Sequence, residues 1–349
     1  MAGLRITPLT VTSFTVTNTY RAAVCTALDG PAAIQIRDQP RRALGPGEVR
    51  IAVRAAGVNF PDLLMTRGLY QFRPDPPFVG GIEVAGIVSE ALGGVPGFAV
   101  GDAVMAALRG GGFAEEIIVE ASALSALPPA LNFEEGAAYR AAAITALHAL
   151  VDRGALRSGE ALLVLGASGG VGMAAVQLGK HLGAVVIAAA STPEKRAATL
   201  AAGADHALDP AAEGFVDNVK ALTGGRGVDV VYDPVGGDLS TQATRTLGWG
   251  GRFLIVGFAS GTIPRFPANH ALIKGYSLIG LRAGEAARHD PALGSRNTAT
   301  LAEFAAAGVM RPHISHRFAL DQTADALRAL EARAVIGRAV VVMGGRFRA

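Results

Sequence analysis

A strand, a glycine-rich turn, a helix and a second strand follow one another in residues 161–200, and this pattern constrains the fold most. Apolar runs occupy 161–165 and 184–190, and residues 173–182 carry apolar side chains at helical spacing. The turn between the first run and the helix is Gly166-Ala-Ser-Gly-Gly-Val-Gly172. Such a βαβ unit is typical of parallel sheets, so the sequence predicts an α/β fold with a doubly wound parallel sheet.

The glycine turn is a candidate binding site for a pyrophosphate. Glycines let the main chain approach phosphates, and the helix that follows offers free N–H groups and the positive end of its dipole. The strict Gly-x-Gly-x-x-Gly pattern is broken, because Ala167 separates Gly166 from Ser168. A tight turn without a ligand is the alternative, but the flanking strand and helix favour a dinucleotide site. The candidate cofactor-binding residues here are Gly166, Ser168, Gly169, Gly170, Val171 and Gly172.

Length and charge exclude several classes of protein. The 349 residues suit two domains, and the net charge of +3, with scattered arginines, does not favour a nucleic-acid partner. No apolar stretch approaches the length of a membrane span, about 20 residues. Cys25 is the only cysteine, so an intramolecular disulfide is impossible, as suits a reducing compartment. The sequence therefore predicts a cytoplasmic protein with no nucleic-acid or membrane partner.

The chain changes character near Asn132. Closely spaced strands with turn residues between them, over residues 21–119, predict a compact, partly open β barrel. Residues 133–140 and 141–153 are expected to form a pair of helices that connects this barrel to the βαβ region. The sequence predicts that the chain is divided into four parts. Residues 1–20 form a leader that is disordered or a stray strand, and residues 21–145 form the first part of a catalytic domain. Residues 146–285 form the dinucleotide-binding domain, and residues 286–349 return to the catalytic domain.

Several segments together resemble the quinone oxidoreductase branch of the medium-chain dehydrogenases/reductases. The segments are Val53–Asp62, Gly80–Gly86, Gly166–Gly172, Val228–Gly237 and Gly251–Gly257. The resemblance covers roughly residues 21–343 and rests on the order of these motifs. It implies a GroES-like catalytic domain, split in sequence around a Rossmann domain. It also implies a homodimer, formed through the edge of the Rossmann sheet near residues 276–281.

The same resemblance bears on zinc. Zinc alcohol dehydrogenases of this superfamily carry a cysteine and a Gly-His-Glu segment where this chain has Asn59 and Gly81-Ile82-Glu83. A catalytic zinc needs three protein ligands, usually Cys, His or a carboxylate, and only Glu83 remains of that set. The seven histidines are dispersed. The resemblance therefore points to the zinc-independent branch, and no metal-binding residue is predicted.

The segment after the second βαβ strand bears on which cofactor is bound. An NAD site usually has Asp or Glu about twenty residues after the glycine turn. Here the strand ends at Ser191 without an acid, and Lys195 and Arg196 follow. A hydroxyl and an ammonium can bind a 2′-phosphate, as the lysine of this segment does in the family, so NADPH is predicted over NADH. One alternative is that Lys195 and Arg196 are solvated side chains at the start of a helix. Another is that NADH is the cofactor, because Pro210 stands where the family often has a tyrosine beside the adenosine phosphate.

Residues after the later strands are expected to surround the nicotinamide, because ligands bind at the carboxyl ends of parallel strands. These candidates are Val235, Gly236, Val256, Gly257 and Phe258. In the family, a hinge-helix threonine contacts the nicotinamide region, and Thr145 holds that position. Its alternative is a hydroxyl bonded to its own helical turn. Arg338, at the start of the last strand, is a further candidate contact from the other domain.

Asn59, Tyr70 and Asp62 are the candidate catalytic residues. Asn59 would orient the nicotinamide ribose or the acceptor, Tyr70 would donate a hydrogen bond, and Asp62 would orient the loop. Their structural alternatives are an Asx turn, a half-buried ring and a helix cap.

Three functions remain open from the sequence. The first is an NADPH-dependent oxidoreductase that transfers hydride to a small electrophile, a quinone or conjugated carbonyl, without zinc. The second is an enoyl-thioester reductase of the enoyl-CoA type, for which Arg73, Arg282 and Arg288 would bind phosphates. The third is an NADPH-binding sensor or structural protein with little catalysis.

Overall fold

The computed structural model describes residues 18–92 and 97–344. Most of the expected leader, residues 1–17, lies outside the described residues. Within them the chain forms a parallel sheet flanked by helices and, separately, a largely antiparallel barrel-like lobe, which confirms the predicted fold class. One long helix connects the two.

The barrel-like lobe is built mainly from short strands in the first third of the chain. The elements are β1 (Thr19–Cys25), β2 (Ile34–Pro40), β3 (Glu48–Val58), α1 (Phe60–Met65), β4 (Phe78–Val79), β5 (Glu83–Ala91), β6 (Ala103–Ala107), β7 (Glu116–Glu120) and β8 (Leu124–Ala126). Strand β1 pairs with β2 and β4, while β3 pairs with β5 and β7. Strands β4 and β5 are separated by a bend at Gly81, whose φ is +92°. A Cβ there would lie 2.6 Å from the nitrogen of Phe113, so the bend requires glycine.

The hinge helix is one helix rather than the expected pair. Helix α2 (Phe133–Leu147) runs directly into a π-helical turn over His148–Arg153. Asn132 Oδ1 accepts from the N–H of Glu135 at 2.9 Å, and the Glu135 carboxylate accepts from the N–H of Asn132 at 3.0 Å. This reciprocal cap fixes the start of the helix. The prediction of two helices was wrong because the alanine-rich run around residue 140 contains no helix breaker.

The second lobe is a Rossmann-type sheet. Its strands are β9 (Ala161–Val164), β10 (Val185–Ala189), β11 (His206–Leu208), β12 (Val228–Asp233), β13 (Leu247–Ile255) and β14 (Ser277–Gly280), and its helices are α3 (Gly170–His181), α4 (Pro193–Ala201), α5 (Phe215–Leu222), α6 (Gly237–Ala243) and α7 (Ala268–Lys274). In the described part of the chain these strands are parallel in the order β11-β10-β9-β12-β13-β14. Leu162 and Leu163 of β9 pack into different cores on opposite faces, so the central strand is apolar throughout. The order reverses between β9 and β12, where ligands bind in such sheets.

The end of the chain returns to the first lobe. It contains α8 (Ala283–His289), α9 (Pro291–Ala306), β15 (Ile314–Ala319), α10 (Thr323–Glu331) and β16 (Arg338–Val342). Strand β16 pairs with β15 and, antiparallel, with β3, so that Ala339 lies opposite Val58. Helix α9 begins earlier than the helix expected at residue 298, because Asp290 accepts a hydrogen bond from the N–H of Leu293 and caps it. The pairing of β16 with β3 brings Arg338 beside the loop that starts at Asn59.

Candidate active site

The glycine turn leads from β9 into α3, and the backbone at its two ends is too close to leave room for side chains. Gly166 has a φ of +55°, and a Cβ on Gly172 would lie 2.4 Å from the carbonyl oxygen of Gly166. Helix α3 starts at Gly170, and Gly169 before it provides no side-chain cap. The main-chain N–H groups at this helix end are therefore free of side-chain partners, which fits the binding of a pyrophosphate.

The last strand reaches this turn from the other lobe. The N–H of Gly337 donates to the carbonyl of Ser168 at 2.7 Å. The side chain of Arg338 packs on Gly170, where an added Cβ would lie 2.5 Å from Arg338 Cδ. Ser168 and Arg338 are both buried. The glycine turn and the last strand of the barrel-like lobe thus form one continuous wall.

A closed network joins Arg338, Asn59 and Glu83. Arg338 Nη1 donates to Asn59 Oδ1 at 2.8 Å, and Arg338 Nη2 forms an ion pair with Glu83. Asn59 Nδ2 donates to Glu83 Oε1 at 3.0 Å. All three side chains are at least 94% buried, and each is bonded to the other two. A buried ion pair requires such additional hydrogen bonds to offset its desolvation.

The hinge helix completes this network. The N–H of Ala141 donates to Glu83 Oε2 at 2.9 Å. One turn later, Thr145 Oγ1 donates to the carbonyl of Ala141 at 2.7 Å, the back-bonded arrangement of a helix-interior threonine. The hydroxyl hydrogen of Thr145 is thus committed within the helix, and a contact with the nicotinamide stays a prediction.

Asp62 fixes the loop around Asn59 through hydrogen bonds to the main chain. Its carboxylate accepts from the N–H groups of Asn59 and Gly81, both at 2.9 Å. Burial raises the pKa of Asp62 to about 7, and the nearby carboxylate of Glu83 adds to the shift, while the two N–H groups oppose it. Asp62 is 2% exposed, so its contacts are with the loop and not with the open cleft.

Tyr70 is partly buried in the irregular segment between α1 and β4. Its carbonyl accepts from Arg73 Nε at 3.1 Å. Its hydroxyl has no hydrogen-bond partner among the described residues, so it is available to a ligand. The structure does not bring Tyr70 into the network of Asn59, Glu83 and Arg338.

The cationic side chains after β10 already have protein partners. Lys195 Nζ donates to the carbonyl of Arg333 at 2.7 Å, which connects α4 to the other lobe. Arg196 Nη1 donates to the carbonyls of Ala190 and Ser191 and pairs with Asp209 at 3.1 Å. Arg196 therefore lies across the carboxyl ends of β10 and β11, where the adenosine end of a dinucleotide would bind.

The loops after β12 and β13 are held by one buried acid that sequence reasoning missed. Asp233 accepts from the N–H groups of Val235 and Gly236, at 2.8 and 3.1 Å, and from the hydroxyl of Ser240. Burial raises the pKa of Asp233. Its own carbonyl accepts from the N–H groups of Val256 and Gly257, which brings both predicted loops together. Phe258 follows them and is partly exposed. An acid ending an apolar strand just before Pro-Val-Gly-Gly was the signal available in the sequence.

The residues at the position of the family's catalytic zinc do not fit a metal. Of the family's ligand set only Glu83 remains, and its oxygens are engaged by Arg338, Asn59 and Ala141. The Asp62 carboxylate beside it is bound by the N–H groups of Asn59 and Gly81. A guanidinium in direct contact with Glu83 opposes a cation at the same place. Across residues 18–92 and 97–344 there is no group of three or more His, Cys, Asp or Glu side chains arranged to hold a metal ion.

Comparison with protein families covers both lobes. Residues 45–129 match the alcohol dehydrogenase GroES-like domain, and residues 170–295 match the zinc-binding dehydrogenase domain. The chain is 36% identical to quinone oxidoreductase-like protein 2 homolog of Nematostella vectensis over 92% of this chain and 88% of that protein. It is 35% identical to quinone oxidoreductase-like protein 2 of Rattus norvegicus over 92% of each. In the described part of the chain, no helix combines the length and the apolar character needed to span a bilayer.

Solved structures share the whole architecture. A probable oxidoreductase from Mycobacterium abscessus superposes with a TM-score of 0.84 at 38% identity, over 93% of this chain and 99% of that one. A mycobacterial protein in complex with NADPH gives 0.85 at 31%, over 92% and 99%. The CurK enoyl reductase gives 0.83 at 25%, over 94% and 100%.

The buried Asp62 carboxyl predicts a pH-dependent stability. Its pKa is raised from about 4 in the unfolded chain to about 7 in the folded protein, so the folded state holds the proton more tightly. This contribution is present at low pH and is lost as the pH rises through 7, by up to about 1.4 kcal/mol per pH unit. We expect the urea midpoint to fall more steeply between pH 5 and 7.5 in the wild type than in Asp62→Asn. The exposed Asp321→Asn variant is the control, and equal slopes in Asp62→Asn and the wild type would contradict the assignment.

Proposed function

This chain belongs to the quinone oxidoreductase branch of the medium-chain dehydrogenase/reductase superfamily, and we propose that it is an NADPH-dependent reductase of quinones or conjugated carbonyls that works without zinc. One observation carries the proposal. Asn59 and Glu83 stand in the sequence where zinc alcohol dehydrogenases carry metal ligands, and Arg338 binds both of them and adjoins the glycine turn at Gly170. A cleft of this kind favours an acceptor that is electron-poor without a Lewis acid, as quinones and enones are.

The cofactor would lie along the wall that both lobes form. The N-terminus of α3 would bind the pyrophosphate, with Arg338 beside Gly170 adding positive charge. The loops held by Asp233 would bind the nicotinamide end, and Ser191, Lys195 and Arg196 the adenosine end. A bound reduced nicotinamide supplies the hydride. The lobes would exclude water from the cleft and set the distance between the ring and the acceptor.

The enoyl-thioester alternative has less support from the side chains. The likeness to the CurK enoyl reductase favours it. However, Arg282 and Arg288 both contact Glu285, and Arg73 donates to the carbonyl of Tyr70. To bind a carrier phosphate, Arg282 and Arg288 would have to leave the carboxylate of Glu285, whereas Lys195 would give up only a hydrogen bond to a neutral carbonyl. The cytoplasmic location inferred from the single cysteine stays a prediction.

An acceptor panel tests the proposal. We expect NADPH oxidation with 1,4-benzoquinone and 9,10-phenanthrenequinone to exceed that with crotonyl-CoA, in protein that contains no stoichiometric zinc by elemental analysis. A preference for crotonyl-CoA would favour the enoyl-thioester reductase. Tight NADPH binding without turnover of any acceptor would favour the sensor, and stoichiometric zinc would overturn the metal-free assignment.

The Lys195→Ala variant tests the choice of cofactor. Loss of a charge-assisted hydrogen bond to the 2′-phosphate should raise the KM for NADPH about tenfold and leave the KM for NADH nearly unchanged. Lys180→Ala is the matched control, because this lysine of α3 pairs with Asp205 on the surface. Equal changes in both KM values for Lys195→Ala would show that it does not bind the phosphate.

An exposed apolar surface beside the edge of the parallel sheet supports the proposed homodimer. Strand β14 forms one edge of the parallel sheet. Near it, Trp249 is 83% exposed, and Leu272 and Ile273 of α7 are 82% and 67% exposed. An exposed apolar cluster beside an open sheet edge is typical of an interface between subunits. We propose that a second copy of the chain covers this face.

The Leu272→Asp variant tests this interface. A charge at its centre should convert a dimer into a monomer in analytical ultracentrifugation, because the carboxylate would be buried without a partner. Val100→Asp, at a 62% exposed site in the other lobe, should leave the mass unchanged. A monomeric wild type would refute the dimer.

A further inference from the structure

An arginine of the hinge helix lies beside the buried network without a carboxylate of its own. Arg140 directly precedes Ala141, whose N–H binds Glu83. Its side chain is partly buried, and Arg140 Nη2 donates to Thr298 Oγ1 of α9 at 3.2 Å. Within residues 18–92 and 97–344, no carboxylate oxygen lies within ion-pair distance of this guanidinium. The sequence signal was a single charged residue inside an alanine-rich run.

Two other arginines that contact the hinge helix are paired with acids. Arg311 and Arg317 contact Glu135 and Glu134 at 2.6 and 2.7 Å, at the start of the helix. These two guanidinium groups are mostly exposed, whereas that of Arg140 is not. Of these three arginines, the one that loses most hydration is therefore the one without a counter-ion.

The charge of Arg140 is poorly compensated. Burial lowers the pKa of Arg140, and among nearby charges Glu83 opposes this shift. Glu83 is itself engaged by Arg338, Asn59 and the Ala141 N–H, so little of its charge is left to offset Arg140. An arginine stays protonated at any physiological pH. A partly desolvated cation with unused N–H groups favours the binding of an anion.

We propose that Arg140 binds the carbonyl oxygen of the acceptor and stabilises the negative charge that reduction places on it. This inference rests on the proposed function. It identifies Arg140 as the group that polarises the acceptor carbonyl in place of a Lewis acid. The position of Arg140 supports this role. Its charge interacts with that of Glu83, and it lies one helical turn before the Ile144–Thr145 segment. Thr298 holds one edge of the guanidinium and leaves the other N–H groups for the ligand.

The step balances for a conjugated carbonyl. The acceptor takes up hydride at its β-carbon, where a C–H bond forms. The C=C pair then shifts toward the carbonyl carbon, and the C=O π pair moves onto the oxygen, which gives an enolate. A bound reduced nicotinamide would supply this hydride and its electron pair, and a proton from solvent would complete the product. The N–H groups of Arg140 would donate to the enolate oxygen, a kind of contact whose removal typically lowers turnover 100-fold or more.

Kinetics of Arg140→Gln with 9,10-phenanthrenequinone and 4-phenyl-3-buten-2-one give the first test. We expect kcat/KM for both acceptors to fall about 100-fold, while the dissociation constant for NADPH, measured by fluorescence, stays within about twofold. Arg140→Lys should recover part of the activity because it keeps a charge without the planar fork. Arg317→Gln removes the same charge from an exposed site and should behave as the wild type. Wild-type kcat/KM in Arg140→Gln would overturn the inference and leave the reductase assignment intact.

Binding of 4-nitrophenolate gives a readout that does not depend on turnover. This phenolate mimics the oxyanion, and its absorbance reports its ionisation. In the presence of NADP+, wild-type protein and Arg317→Gln should bind it and lower its apparent pKa, whereas Arg140→Gln should bind at least tenfold more weakly. Equal binding to all three proteins, or no binding to the wild type, would overturn the role of Arg140. Failure of the wild type to bind NADPH would instead overturn the proposed function.

Discussion

The buried ion pair between Arg338 and Glu83 fixes the last strand against the Asn59 loop within the barrel-like lobe. Arg338 comes from the last strand, Glu83 from the start of β5, and Asn59 from the loop after β3. Removing one partner would leave an uncompensated buried charge, which is strongly destabilising, about 3–5 kcal/mol. The same arginine packs on Gly170 at the start of α3. Arg338 therefore fixes both the Asn59 loop and the position of that loop relative to the glycine turn.

Charge is distributed unevenly around this pair. Two carboxyl groups, Asp62 and Glu83, are buried close to one guanidinium, and Asp62 responds with a raised pKa. On the other side, Arg140 approaches Glu83 without an acid of its own. Burial is the main cause of the raised pKa of Asp62, so this carboxyl holds its proton at higher pH than an exposed acid and limits the negative charge beside Glu83.

The sequence predicted the fold class and a doubly wound parallel sheet because periodicity and turn residues are local signals. Strand β9 was predicted to within one residue of its observed bounds. The hinge was wrongly divided into two helices, although the alanine-rich run around residue 140 contains no helix breaker. The hydrogen-bond partners of Arg338 and Lys195 could not be predicted from the sequence either. Arg338 meets residues 255 and 279 positions away, and Lys195 donates to a carbonyl 138 positions away. Pairings of that kind depend on how the lobes pack.

The return of the chain to its first lobe has a consequence for biosynthesis. Strand β3 lacks its β16 neighbour, and Asn59 and Glu83 lack their guanidinium, until residue 338 has left the ribosome. The Rossmann lobe, whose strands are contiguous in sequence, can fold before that point. The barrel-like lobe is therefore completed after the Rossmann lobe has been synthesised, and a chain that stops before residue 338 lacks the strand and the guanidinium that complete it.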